Sequence, residues 1–321
     1  MIDQYIEDWL TIIENMQNDN TYKLAWGRSI IENVCMIKDI QSKNTITFEM
    51  IASKMIKYYW NQTFFFNLKQ SANDKKPPIL VQNVYALIEE YKKVTASTIP
   101  IWFDKAEVML MRNEDYYTKM IYKSARKLKD DVSWRFKIVN KIDYDLYTLD
   151  KENLCIYLSD YQVTKIQDYA VVLSELLNYK WAQLLEKYNT APKIANKVKG
   201  ISDNKLKRAN LTEYKKLLLK YYDGQAIDFY TGKAINEDEI SIDHVIPWSF
   251  IYSDDLWNLV MTTKSHNSSK SNSIPPEEVI EKLKKRNEDL AQRLTEEKYK
   301  NQMLEAIANN YVDKFYLALK L

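Results

Sequence analysis

The sequence predicts a mainly helical α+β fold: a helical N-terminal region with a small hairpin, then a compact strand–loop–strand unit followed by C-terminal helices. Three observations point there. Four glycines and seven prolines in 321 residues are too few turn formers for an all-β fold or a glycine-loop nucleotide fold. Apolar side chains recur at helical spacing over most of the first 130 residues, and strand-like alternation is confined to two short regions. A hydrophobic fraction of 46% supports about two domains with true cores and argues against disorder.

The elements follow in order. Residues 2–18 place Ile2, Tyr5, Ile6, Leu10 and Ile13 on one helical face, and Tyr22–Lys38 and Ile46–Trp60 read the same way. Pro77-Pro78 opens a helix over roughly 78–93, with proline in the tolerated first turn. Two more helices fill 103–128. Tyr144–Leu149 and Asn153–Leu158 alternate around Asp150-Lys151-Glu152 and predict the hairpin. A long helix over 164–188 ends at Tyr188-Asn189-Thr190-Ala191-Pro192, and the domain boundary is placed between there and Gly200. That divides the chain into a helical region at 1–200, suited to recognition, partner docking or dimerisation, and a second domain at 201–321. Tyr58, Tyr59 and Trp60 are expected in the core, where such residues contribute most.

A net charge of +2 and a pI of about 8.1 are too mild to imply nucleic acid on their own. Cys35 and Cys155 lie far apart in no metal-binding spacing and read as buried thiols in a reducing cytosol. The chain opens as an amphipathic helix without a signal-peptide pattern, and no apolar run approaches the ~18 residues of a membrane span. A cytoplasmic protein with no membrane partner is expected.

Charge position says more than charge sum. Residues 193–220 carry Lys193, Lys197, Lys199, Lys205, Lys207, Arg208, Lys215, Lys216 and Lys220 against only Asp203 and Glu213. A run of this kind is ordinarily a solvated face. It can also line a groove that neutralises phosphates without reading bases, with Lys205, Lys207, Arg208, Lys215 and Lys216 as the candidate contacts. Lys119, Lys123, Arg126, Lys127 and Lys129 could extend the track.

The segment that carries chemistry is 240–275, ISIDHVIPWSFIYSDDLWNLVMTTKSHNSSKSNSIP. Ile240 and Ile242 alternate with Ser241 in a strand that delivers Asp243 and His244 at its end, and Pro247 forces the chain out of the sheet. A loop with Asp254-Asp255 leads to a second strand at Leu259-Val260-Met261-Thr262. SHNSSKSN is polar and rich in capping residues, and Pro275-Pro276 starts a C-terminal helix. The two-residue strand period sends Asp243 and His244 to opposite faces, so they cannot form one relay. One group suits a metal and the other a proton. A carboxylate with amide oxygens is hard ligation, suited to Mg²⁺.

The pattern Asp243-His244-x-x-Pro247-x-Ser249, then Asn258-Leu259-Val260, then Asn267-x-x-Lys270-Ser271-x-Asn272 resembles the HNH (ββα-metal) nuclease motif. It is most similar to the subtype with asparagine at the third position, as in the HNH domain of the RNA-guided CRISPR nucleases. The resemblance covers about 222–276. It implies a ββα-metal nuclease unit in which His244 is the general base and Asp243 and Asn267 hold one divalent ion. It implies further that Asn258 hydrogen-bonds across the loop to hold His244, and that Lys270 contacts phosphate. The implied cofactor is Mg²⁺, with Mn²⁺ able to substitute, and the implied products carry 5′-phosphate and 3′-hydroxyl ends.

One departure is informative. Where many HNH proteins carry two CxxC pairs for zinc, this chain has Asp228 and Thr231, then Thr263 and His266. No structural zinc is expected, and bracing falls to Phe229, Tyr230, Trp248, Phe250 and Trp257. His266 is expected to pack or touch phosphate rather than catalyse.

The resemblance thus implies a metal-dependent HNH endonuclease acting on double-stranded DNA, in bacterial restriction or anti-phage defence. A single such site cuts one strand, so a double-strand break asks for a homodimer or a second event, and a defence-system protein is a further candidate partner. The rival readings are a non-cutting helical DNA- or partner-binding module with a degenerate HNH unit, and a nuclease for RNA or single strands.

Overall fold

The periodic N-terminal segments fold as α1 (Gln4–Asn15), α2 (Tyr22–Val34), α3 (Phe48–Trp60), α4 (Ile79–Thr95), α5 (Phe103–Leu110) and α6 (Glu114–Leu128). The structure is a computed structural model describing residues 3–73, 76–199 and 210–320. Two compact units divide the chain: Met1–Asn189 with Ile194–Asn204, and Thr190–Lys193 with Lys205–Leu321.

Helix starts in the first unit follow capping chemistry. The Asp3 carboxylate accepts from the Tyr5 amide at 3.0 Å, and the Thr47 hydroxyl accepts from Met50. Pro78 sits at the N-cap of α4, next to its expected place. After α7 (Val132–Arg135) come a two-residue ladder, β2 (Ile138–Val139) with β3 (Ile142–Asp143), and then β4 (Thr148–Asp150) and β5 (Cys155–Leu158). The long helix α8 (Asp160–Glu186) begins in a capping box between Ser159 and Gln162, which satisfies two backbone donors reciprocally. It packs against α1, α2 and α9 (Ile194–Lys199).

Three expectations need correction here. Ile46 does not begin a helix. It lies in β1 (Asn44–Thr47), which pairs antiparallel with β5 and makes the hairpin a three-stranded sheet of order β1-β5-β4. Tyr144–Tyr147 lie outside the strand: the Tyr147 ring is fully buried, with its hydroxyl donating to Ser133 O and accepting from the Trp26 indole at 3.1 Å. Cys155 is buried, but Cys35 is exposed, because it lies past the last turn of α2.

The first unit's core is aromatic. Trp9, Trp26, Trp60 and Trp181 are completely buried, as are Tyr58 and Tyr59. Each such side chain removes roughly 150–250 Å² from water, or about 4–6 kcal/mol of transfer free energy before entropy is counted. Gly27 is required where α2 meets Phe136: a Cβ there would lie 2.8 Å from the ring.

The second unit holds α10 (Thr212–Tyr221), β6 (Ile240–His244), α11 (Trp248–Ile251), β7 (Leu259–Thr263) and α12 (Lys264–Lys270). It closes with α13 (Glu277–Arg293), α14 (Glu297–Ala308) and α15 (Tyr311–Lys320). Phe229, Phe250 and Trp257 join Val245, Ile246 and Leu283 in its core, as the aromatic bracing predicted, and Trp248 is buried as well. Among the described residues, no helix is long and apolar enough to cross a membrane.

Candidate nuclease site

β6 and β7 pair antiparallel with Asp243 opposite Val260 and His244 opposite Leu259. β7 is β-branched or apolar throughout, and β6 sets Ile240 and Ile242 between the polar Ser241, Asp243 and His244, as a pleated, half-buried ribbon allows. Thr263 ends β7 and caps α12, its hydroxyl accepting from the His266 amide at 3.2 Å. The polar run SHNSSK is therefore part of a helix, the α of the ββα unit that the resemblance implied. On one face of α12, Asn267 and Lys270 stand three residues apart and lean onto β6. The Asn267 amide donates to Ser241 Oγ at 2.7 Å and to Ile242 O at 3.2 Å. Because a carbonyl can only accept, these bonds fix which amide atom is nitrogen. The Lys270 ammonium lies 3.2 Å from Asp243 Oδ2 and donates to His244 O at 2.7 Å. Burial lowers the lysine's proton affinity and Asp243 partly restores it.

Asp243 is 5% exposed. Besides Lys270, it accepts from the Tyr230 hydroxyl. Burial, then the charge of Asp243 and the bond to it, push the Tyr230 pKa upward, so the phenol remains a donor. His244 turns to the other side, and its Nε2 sits 2.8 Å from Asp254 Oδ1. The opposite-face expectation describes this arrangement. Unexpected is how enclosed the imidazole is: His244 keeps 6% of its surface.

Asn258 is fully buried and ties the loop shut. Its Oδ1 accepts from Ile246 N and its Nδ2 donates to Ile246 O, both at 2.8 Å, while its own carbonyl accepts from Val245 N at 3.0 Å. The two residues after His244 are thereby fixed. α13 braces the same loop from behind: the Arg286 guanidinium donates to Leu259 O at 2.8 Å and reaches Leu256 O and Trp257 O at 3.4 Å, and Asn287 donates to Trp257 O at 2.9 Å. Burial brings the Arg286 pKa down to about 10.

At the position of the missing cysteines, Asp228 accepts from Thr231 N at 2.8 Å, Thr231 Oγ at 3.1 Å and Thr262 Oγ at 2.7 Å. Burial alone would raise its pKa, but these donors lower it. His266 stacks on Tyr230 with ring centroids 4.3 Å apart, the packing role expected of it.

Among the described residues, no group of three or more His, Cys, Asp or Glu side chains could hold a metal. The oxygen donors at hand are the Asp243 carboxylate, which already meets Lys270 and Tyr230, and the amide oxygen of Asn267, whose nitrogen donates to β6. Of the candidate phosphate contacts, Lys216 is exposed and Lys215 half-buried on α10, whereas Lys205, Lys207 and Arg208 lie outside the described residues. Lys197, counted in the same basic run, is fully buried and cannot belong to a solvated face.

Sequence reasoning missed Asp254, Arg286 and the Tyr230 hydroxyl as members of this site. Arg286 alone left a local signal: a charged residue at the helical spacing of Ile280, Leu283 and Leu290, all buried.

Two strands, a braced loop and a short helix that returns its polar face to the first strand define a ββα unit. Residues 228–276, which hold all of it, match the family model for HNH endonucleases. No solved structure matches the chain.

Proposed function

We propose that this protein is a metal-dependent endonuclease that hydrolyses DNA phosphodiester bonds. The observation carrying the proposal is the division of labour on β6: Asp243 shares one face with Asn267 and Lys270, while His244 stands on the other with Asp254. His244 takes a proton from water, the water oxygen bonds to phosphorus, and the P–O3′ bond breaks. The electron pair leaves with the 3′-oxygen, which takes a proton from solvent, so the products carry 5′-phosphate and 3′-hydroxyl ends. A histidine is suited to this because it is a base near neutral pH.

Asp243 and Asn267 would hold one Mg²⁺, for which Mn²⁺ could substitute. A carboxylate and an amide oxygen fit a hard cation that keeps several waters. The ion would supply charge stabilisation to the phosphoryl oxygens and the leaving group. Lys270 shares the Asp243 carboxylate and keeps positive charge beside the docking phosphate. Asn258 keeps the loop after His244 in one conformation. Lys216, with Lys215, Lys205, Lys207 and Arg208, would meet the phosphate backbone. Asparagine at position 267 favours the subtype similar to the CRISPR-nuclease HNH domain. On that resemblance alone, the setting is restriction or anti-phage defence.

Supercoiled plasmid, single-stranded DNA and RNA are offered with Mg²⁺ at one salt concentration. Wild type is expected to nick the plasmid, EDTA to stop it, and His244→Ala to lose about 10²–10⁴ in rate. Equal activity in wild type and His244→Ala would overturn the assignment, and cleavage of RNA alone would move the substrate.

A further inference from the structure

We propose that Asp254 is a positioning residue: it holds the His244 imidazole in its Nε2–H tautomer, leaving the lone pair on Nδ1 for the proton of the attacking water. The catalytic consequence rests on the nuclease reading above, but the tautomer does not.

The argument begins with the contact. His244 Nε2 lies 2.8 Å from Asp254 Oδ1, with the two side chains 7% and 15% exposed. An ionised carboxylate has no hydrogen to give, so the hydrogen in this bond belongs to Nε2. A neutral imidazole holds one N–H, and the other nitrogen must then be the acceptor. Charge-assisted bonds of this kind are also the stronger ones. Shielded from water, Asp254 therefore selects both the tautomer and the ring orientation, the two properties a general base needs before its pKa matters.

The backbone is built to deliver this carboxylate. Pro247 caps α11, and Tyr252 ends that helix in the left-handed region at φ 56°. A tyrosine pays a steric penalty in that region, yet the turn brings residue 254 back toward the end of β6. Tyr252 packs its ring on Trp248 at 4.7 Å, and its amide donates to Trp248 O at 2.7 Å. Neighbouring Asp255 serves a different purpose, accepting from Ser253 Oγ at 2.6 Å. Asn258 then closes the far side of the loop. His244 is thus gripped at its ring by Asp254 and at its carbonyl by Lys270.

Only two histidines are present, which makes the test direct. The full chain labelled with ¹⁵N is examined by long-range ¹H–¹⁵N correlation of the imidazoles at about pH 8, where an ordinary histidine is neutral, with His266→Gln assigning the signals. His244 is expected to show a protonated Nε2 and a bare Nδ1. Asp254→Ala should abolish that single-tautomer signature and lower kcat by about 10- to 100-fold, with KM for a plasmid substrate within about twofold. Asp254→Glu should recover part of both, and Asp255→Ala should change neither.

An Nδ1–H or doubly protonated His244 in wild type overturns the proposal, and so does an unchanged tautomer in Asp254→Ala. A changed tautomer with unchanged kcat also overturns it, since Asp254 would then position nothing that matters. The wild-type spectrum decides the point even where a variant fails to fold. Should wild type cut no substrate, the nuclease reading fails by itself while the spectrum still reports on the Asp254–His244 pair.

Discussion

Both units bury polar side chains, but they distribute them differently. In the first, the largest buried side chains are tryptophans and tyrosines, and their rings meet edge to face: Trp60 with Tyr91 at 5.7 Å, Tyr58 with Trp181 at 6.0 Å. In the second, Asp228, Asp243, His244, Asn258, Thr262, Arg286 and Asn287 are all buried within one small region. Apolar area stabilises in proportion to its extent and tolerates modest misfit. Buried polar groups contribute only when each donor finds its acceptor, and leaving one unmatched costs about 1–3 kcal/mol. In the second unit most of these groups find partners around one strand pair and its loop, although Arg286 Nε and Asn287 Oδ1 are buried without one among the described residues. That is the arrangement expected where reactive groups must be fixed in place.

The largest effect that tests this contrast is in the first unit. Trp181→Ala should destabilise it by about 3–5 kcal/mol, seen as a lower midpoint in urea unfolding followed by far-UV circular dichroism. A loss under about 1 kcal/mol would mean the aromatic core is loosely packed. The counterpart is Asn267→Ala. It removes two hydrogen bonds on a half-buried helix face, so stability should fall by only about 1–2 kcal/mol, while plasmid nicking should fall on the order of 10²–10³-fold. If nicking survives, Asn267 is a helix anchor and no metal ligand.

How much of this was legible in sequence follows the range of the interactions. The Ile240–Ser241–Ile242 alternation and the Pro247 stop are local, and β6 ends where they place it. Phe229, Phe250 and Trp257 read as core from composition alone. β1 was illegible because four residues, Asn44-Thr-Ile-Thr, merge into the apolar pattern of α3, and their partner β5 lies a hundred or so residues away. α12 was legible only through the ββα resemblance, not from local propensity. Serine and asparagine are poor helix formers, and what holds the helix is the Thr263 cap and the reach of Asn267 and Lys270 onto β6. Asp254 and Tyr230 could be named as residues, but their bonds to His244 and Asp243 exist only once the loop has closed.

A smaller effect probes charge inside the aromatic unit. Lys197 is fully buried near the Phe66 ring, and burial brings its pKa down from 10.5 to about 7. Between those values the unfolded chain binds a proton that the folded chain does not. Stability should therefore rise with pH across that window, by at most about 1.4 kcal/mol per pH unit, and the dependence should vanish below the folded pKa. Lys197→Met should flatten it. Urea midpoints from about pH 7 to 9 check this, and a slope identical in both proteins would show that Lys197 titrates normally.

The smallest effect asks which unit meets the substrate. Lys119, Lys123, Arg126 and Lys127 line one exposed face of α6 in the first unit, and Lys127 is partly engaged by Asp130 at 3.2 Å. On α10 in the second, Lys216 is exposed, while Lys220 is paired with Glu296 at 2.8 Å. Each lysine that neutralises a phosphate adds about one to the slope of log affinity against log salt. Because α10 belongs to the unit that holds the ββα site, Lys216→Ala should lower that slope by about one for a short duplex. Lys123→Ala should leave it unchanged. Fluorescence anisotropy across a salt series reads both. The reverse result would put the phosphate path on the helical unit instead of on the unit that holds the ββα site.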